Sequence, residues 1–187
     1  MSFVYDYITH TPDTPLLWRH SARLAGDRLC TQLSHTLGIS LGPVRRSYFG
    51  QPISSSGHGI SRSYTRQYSA VAISEPGIPI GIDIEPWSRS YYKALARWSP
   101  ASEYARLEHT PQAYSAHWSL KEAFVKALGT GLRVLPIVTE VIITKRTPNR
   151  WHAQFPAVPI LSGTTYFYDD LQLTLSIVTV KTLIEKL

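Results

Sequence analysis

Cysteine is almost absent. Cys30 is the single one in 187 residues, so an internal disulfide framework and a multi-cysteine metal site are both excluded. That fits a reducing cytoplasm, and Cys30 is expected to pack on a helix rather than act as a nucleophile. Long apolar runs are missing too: no stretch of eighteen apolar residues occurs, which predicts no membrane-spanning helix. The opening residues, Met1 to Ile8, lack the basic segment and apolar core of a secretion signal. No internal repeat and no low-complexity tail is visible. Acidic residues are the scarcer charge, 13 against 19 Lys and Arg, giving a net charge of +6 and a pI near 9.5. Such a balance suits nucleic acid, or else an acidic protein together with a polyanionic small molecule. The basic residues are scattered and carry no nucleic-acid-binding module, which favours the second class.

What is present is 43% hydrophobic residues, enough for a globular core in one large domain or two small halves. Residues 3–9 alternate weakly and predict a strand. Leu24, Leu29, Leu33 and Leu37 recur at helical spacing over 19–37, with Gly38 as C-terminal cap. Pro43 to Tyr48 reads as extended, and Gln51 to Gly59 as loop. Tyr68 to Ser74 is an expected strand, Glu75-Pro76-Gly77 a turn, and 78–85 a half-buried strand with Ile80, Ile82 and Ile84 inward. After Pro86 the pattern turns helical. Ser99-Pro100 and Thr110-Pro111 both carry an N-cap followed by proline, and the second opens a longer helix ending at Gly129. Its apolar stripe is Leu120, Phe124 and Leu128 with Ala123 and Ala127. Strands are expected over 137–144, 150–155, 164–168 and 171–180. The fold class is therefore α+β, in two halves, residues 1–85 and 86–187.

Chemistry concentrates in two segments. In Gly81-Ile82-Asp83-Ile84-Glu85, period-two geometry puts both carboxylates on one face, about 7 Å apart along the strand. Such neighbours repel unless a cation joins them. Magnesium, with its preference for oxygen ligands and retained waters or phosphates, suits the pair; manganese suits it as well. In the later helix, Trp118, Glu122 and Lys126 recur at i, i+4 and i+8 and share a face, with Lys121 about 100° round from Glu122. Either segment alone is explained by solvated charges. Three acids and two lysines in paired segments call for more.

The pair, Gly81-Ile-Asp-Ile-Glu85 and Trp118-Ser-Leu-Lys-Glu-Ala-Phe-Val-Lys126, resembles the motifs of the 4'-phosphopantetheinyl transferase family in its Sfp-like branch. Trp98-Ser-Pro-Ala-Ser-Glu103 and Gly129-Thr-Gly-Leu132 extend the resemblance, which covers roughly 19–132. It implies two similar halves with antiparallel sheets packed about a pseudo-twofold axis, a monomer, and coenzyme A held between the halves. The implied metal ligands are Asp83, Glu85 and Glu122. Lys121 and Lys126 are implied to face the transferring phosphate, with Glu122 as first choice of base and Glu103 as second. Arg23, Gln51, Ser63, Tyr64 and Arg62 are implied on the coenzyme A side. The implied partner is an acidic apo carrier protein. Two departures stand out: Tyr64 replaces the family's histidine and Gln51 its lysine, both near the 3'-phosphate. Arg62, Arg66, Arg45 or His58 are then candidates for the missing charge. A relative that binds coenzyme A or a nucleotide without transfer stays open at this point.

Overall fold

The alternating segments close into two five-stranded sheets, every neighbouring pair antiparallel. The computed structural model describes residues 3–10, 17–48, 50–130, 139–147, 150–154, 156 and 161–180. The first sheet holds β1 (Phe3–Thr9), β2 (Val44–Arg46), β3 (Pro52–Ser54), β4 (His58–Tyr64) and β5 (Tyr68–Pro76), in the order β1-β5-β4-β3-β2. The second holds β6 (Gly81–Pro86), β7 (Ile142–Thr147), β8 (Arg150–Gln154), β9 (Leu161–Tyr168) and β10 (Leu173–Val180), in the order β6-β10-β9-β8-β7. The connectivity repeats: in each half the last strand pairs with the first, and the others follow in reverse order.

Helix α1 (Trp18–Thr36) packs on β5, where the Ser69 hydroxyl donates to Ala22 O at 2.9 Å. The second half carries α2 (Tyr91–Trp98), α3 (Ala101–Tyr104) and α4 (Pro111–Ala127). Thr110 caps α4 by accepting from Ala113 N at 3.1 Å, as the Thr-Pro signature predicts. Helix α4 touches β6, β8, β9, β10 and α2, so it is buried nearly all round rather than along one stripe. The expected apolar stripe is inside: Leu120, Ala123 and Phe124 are fully buried. A second core lies on the other side of β6, where Ile80, Ile82 and Ile84 meet Leu173, Leu175, Ile177, Ala70 and Ala72.

Strand and helix approach each other unusually closely at Gly81. A Cβ there would stand 1.9 Å from Ala123 O, so only glycine fits. Side chains of α4 then stitch the helix to the β6 backbone. The Ser119 hydroxyl donates to Asp83 O at 3.2 Å, Ser115 to Pro86 O at 2.9 Å, and the Lys126 ammonium to Ile82 O at 3.2 Å. The glycine of the first motif and the small or long polar residues of the second thus serve one contact.

Several expectations are corrected. Strand β6 pairs with β10, so the sheets divide between Pro76 and Gly81, and the halves 1–85 and 86–187 cut across them. It is not half-buried, because α4 covers the face that would otherwise meet solvent: Asp83 is 1% exposed. In α1, Leu24 and Leu37 are exposed; Ala22, Ala25, Gly26, Leu29, Cys30 and Leu33 form the buried face, since small residues allow closer docking on β5. Part of the expected loop at 51–59 is β3, and β4 follows at 58–64, its period-two signal hidden by serines and arginine. The Ser99 side chain makes no capping bond, and α3 lasts four residues. Leu171 lies in a 3-10 turn before β10, not in the strand. The expected strand at 137–144 begins at Ile142, and its residues 137–138 lie outside the described residues.

Candidate active site

Asp83 is the centre of a buried polar knot. Its Oδ1 accepts from Ser63 Oγ of β4 at 2.7 Å and pairs with Lys126 Nζ of α4 at 2.5 Å. The same ammonium lies 3.8 Å from Glu122 Oε2, one helical turn back. Asp83 Oδ2 is buried and has no hydrogen-bond partner. Glu85, two residues on, accepts from the Tyr91 hydroxyl through Oε2. Three elements, β4, β6 and α4, therefore converge on one aspartate; Asp83, Glu85, Glu122 and Lys126 lie together, and Ser63, expected on the coenzyme A side, bonds to Asp83.

The electrostatics show an acid surplus. Burial, then the charge of Asp83, pushes Glu85 up to about 8. Burial and Asp83 likewise push Glu122 up to about 7, against the opposing pull of Lys126 and a hydrogen bond from Trp118. Burial acts to lower Lys126, but Asp83, Glu122 and Glu85 outweigh it and hold the ammonium charged. One cation among three carboxylates leaves the group short of positive charge. Among the described residues no three carboxylate, imidazole or thiolate groups converge closely enough to form a metal cage; Lys126 is the cation at Asp83. The residues nonetheless fit a divalent ion in their chemistry. The donors are all oxygen, one acceptor is an orphan inside the protein, and burial together with the charge of Asp83 raises the other two acids.

Lys126 also lines the next feature. A cavity of about 170 Å³ opens beside it, walled by Arg46, Gln51, Ser61, Arg62, Tyr64 and Gly129 among others. Tyr64 and Arg46 separate it from a second hollow of about 340 Å³, lined with them by Trp18, Arg19 and Arg23. Arg46 and Arg62 line the first, and Arg19, Arg23 and Arg46 the second. Arg62 is paired with Asp27 of α1; burial acts to lower the guanidinium's pKa, but Tyr64 and then Asp27 outweigh it. Arg46 donates to Gly50 O at 2.8 Å from the edge of the sheet. The Gln51 side chain packs against Gly129 at the end of α4. Tyr64 packs over Gly26, where a Cβ would lie 2.7 Å from its ring, and its hydroxyl is buried without a hydrogen-bond partner.

Lys121 is placed elsewhere. Its ammonium is 0% exposed, 3.1 Å from Glu103 Oε1, and donates to Val141 O at 2.9 Å. His117 Nδ1 lies 3.5 Å from the same Glu103 oxygen. Burial would raise Glu103, but His117 and Lys121 outweigh it and hold the carboxylate low. Burial lowers both His117 and Lys121. The expectation that Lys121 stands beside Lys126 at a phosphate is thus corrected: on a helix buried all round, the residue 100° from Glu122 meets another wall of the core. Glu103 as base is disfavoured as well, since a carboxylate held low by His117 and Lys121 is a poor proton acceptor.

Of the cations considered for the charge lost at Gln51 and Tyr64, Arg62 lines the cavity but is paired with Asp27, and His58 is engaged by Ser56 Oγ at 2.7 Å. The arginine that lines both hollows is Arg46, not its neighbour Arg45. Strand alternation sends the two to opposite faces of β2, a signal present in the sequence. Trp18, Arg19 and Tyr91 were also missed; they lie outside the motifs.

The family model of the 4'-phosphopantetheinyl transferase superfamily matches residues 79–173, from just before β6 to the first residue of β10. No match to a curated protein is found. No described helix is long and apolar enough to cross a membrane.

Proposed function

Because the chain belongs to the 4'-phosphopantetheinyl transferase superfamily, we propose that it moves 4'-phosphopantetheine from coenzyme A to a serine of an apo carrier protein, leaving adenosine 3',5'-bisphosphate. The observation that carries this reading is the run from the Asp83 knot through Lys126 into a cavity that Arg46 and Arg62 help to line. A polyanion with a pyrophosphate at one end and a further phosphate at the other suits that run. The repeated strand order of the two sheets supports the Sfp-like arrangement of two related halves about a pseudo-twofold axis. The reading further takes the protein to act as a monomer in the cytoplasm.

In this reading Asp83, Glu85 and Glu122 hold magnesium, or manganese in its place, which when bound supplies positive charge to the pyrophosphate oxygens. Lys126 neutralises the transferring phosphoryl group from the α4 side. Glu122 is the residue this reading assigns to take the proton of the carrier serine. The serine Oγ–P bond forms, the pyrophosphate P–O bond breaks, and its electron pair leaves with adenosine 3',5'-bisphosphate. Arg23, Arg46 and Arg19 receive the far phosphate, with Gln51, Ser63, Tyr64 and Arg62 shaping the cavity between. Arginine at Arg46 offsets the cations absent at Gln51 and Tyr64.

The direct test incubates the protein with coenzyme A, magnesium and a panel of apo carriers, and reads each carrier by intact mass. A metal-dependent gain of one phosphopantetheine is expected on at least one acidic carrier. Coenzyme A binding with no gain on any carrier points instead to a binding-only relative, the reading that Gln51 and Tyr64 favour.

The raised acids give a pH prediction. A carboxyl whose folded-state pKa is raised stabilises the fold below its unfolded value and loses that contribution as pH rises through the raised one. Metal-free protein is therefore expected to lose thermal stability between pH about 4.5 and about 8 as Glu122 and then Glu85 ionise. Magnesium competes with those protons, so its affinity is expected to rise at least about tenfold from pH 6 to 8. Calorimetric titration at the two pH values checks it; a flat profile counts against these ligands.

The net charge of +6 gives another. Carriers acidic around their serine are drawn by long-range attraction, which salt screens beyond about 10 Å at 0.1 M. Transfer at low carrier concentration is expected to slow as sodium chloride is raised, mainly through KM. Kinetics indifferent to salt overturn electrostatic docking.

A further inference from the structure

Tyr91 belongs to neither motif, yet its hydroxyl donates to Glu85 Oε2. Its ring stacks on Trp118, centroids 6.3 Å apart and planes 11° from parallel. Trp118 stands one turn before Glu122 on α4, and its side chain hydrogen-bonds the Glu122 carboxyl. One stacked pair therefore touches two acids on two different elements, β6 and α4. The placement is built in. Ser115 of α4 donates to Pro86 O and accepts from Ser88 N at 3.1 Å, which fixes the path from β6 into α2. Tyr91 is the first residue of α2, and Leu95, one turn on, is fully buried beneath it.

We infer that Tyr91, braced by Trp118, is a positioning residue that orients Glu85, alongside Glu122, for a shared divalent cation. The inference rests on the proposed transferase reading. A carboxylate on a strand end has two rotatable oxygens and loses conformational entropy when a metal fixes it. A hydrogen bond to one oxygen removes that freedom beforehand. Asp83 is treated the same way: Ser63 and Lys126 hold Oδ1, while Oδ2 has no partner. Tyr91 holds Glu85 Oε2, so Oε1 is the oxygen the phenol does not engage. Donors of this kind behind ligating groups are worth about 10- to 100-fold in metal affinity.

The test titrates manganese into the intact protein with coenzyme A present and follows free Mn2+ by its paramagnetic resonance signal, with a coenzyme-A-only blank. Tyr91→Phe keeps the stacked ring and removes only the hydroxyl. It is expected to weaken manganese binding about tenfold with the thermal unfolding midpoint retained. In a Glu85→Gln background the same change is expected to have no further effect, because the group it orients no longer ligates. Trp118→Phe, which keeps a ring and removes the indole N–H, is expected to weaken binding several-fold and provides a second route should Tyr91→Phe fold poorly. Wild-type affinity in Tyr91→Phe, or an equal loss with and without Glu85, overturns the inference and leaves the transferase reading standing. Wild-type protein that takes up no manganese beyond the blank overturns both.

Discussion

Asp83→Asn is expected to abolish carrier modification, lowering transfer by roughly a thousandfold or more, the scale seen when a preorganised charge is removed from a buried reacting centre. The substitution keeps size and shape, so the loss is electrostatic. Asp83 is 1% exposed and carries the charge to which Lys126, Glu85 and Glu122 all respond. Without it Lys126 loses its ion-pair partner at 2.5 Å, and Glu85 and Glu122 lose the main neighbour that raises them. Both then fall toward the ordinary carboxylate range, and Glu122 becomes a weaker base while the metal ligands drop by one. Coenzyme A binding is expected to survive, because the arginines around the two hollows are untouched. Intact-mass assays of the carrier and calorimetric titration with coenzyme A separate the two effects. Transfer at the wild-type rate in Asp83→Asn, or in Glu122→Ala, sinks the carboxylate mechanism. Loss of both transfer and coenzyme A binding instead marks Asp83 as a residue that holds the cleft together.

The site was legible where chemistry leaves a local trace. Asp83 and Glu85 share a strand face by period two, and Glu122 and Lys126 share a helix face by the i+4 rule, so backbone geometry alone predicts their company. The membership of Ser63 came from resemblance, and β4 itself was overlooked. Its alternation reads Ile60, Ser61, Arg62, Ser63, Tyr64, and serines that bond to a neighbouring strand carry no hydrophobic signal. Lys121 was misplaced because its role was carried over with the motif, without weighing its position about 100° round the helix from Glu122. A helix with core on every side sends 100° of rotation into another buried environment, here Glu103 and Val141 O. Tyr91 was beyond reach, since its contact with Glu85 depends on how the turn after β6 is tied to Ser115, a tertiary fact. The α+β class and the two-part organisation followed from periodicity. The seam between the halves did not, because β6 leads into α2 without any linker, while the break lies in the Gly77 turn before it.

Lys121→Met is expected to cost about 3–5 kcal/mol of folding stability, the range for removing one partner of a buried ion pair. The lysine is fully buried, its ammonium 3.1 Å from Glu103 Oε1, and without it the buried carboxylate keeps, among the described residues, only the Ile143 N–H at Oε2, 3.3 Å away, and the His117 ring beside Oε1. His117 Nδ1 lies 3.5 Å from the same oxygen, so acid strong enough to protonate that imidazole is expected to return part of the loss. The double variant Lys121→Met/Glu103→Leu removes both charges, and it is expected to regain most of the stability, because the penalty lies in the orphaned acid rather than in the missing bond. Urea unfolding of the wild type, Lys121→Met, Glu103→Leu and the double variant gives the coupling directly. If Lys121→Met instead unfolds like the wild type and loses only transfer, Lys121 reaches the phosphate during turnover and its pairing with Glu103 is a resting position. A large stability loss, relieved in the double variant, assigns the first lysine of the motif to holding α3 and α4 together and leaves Lys126 as the lysine that faces the reaction.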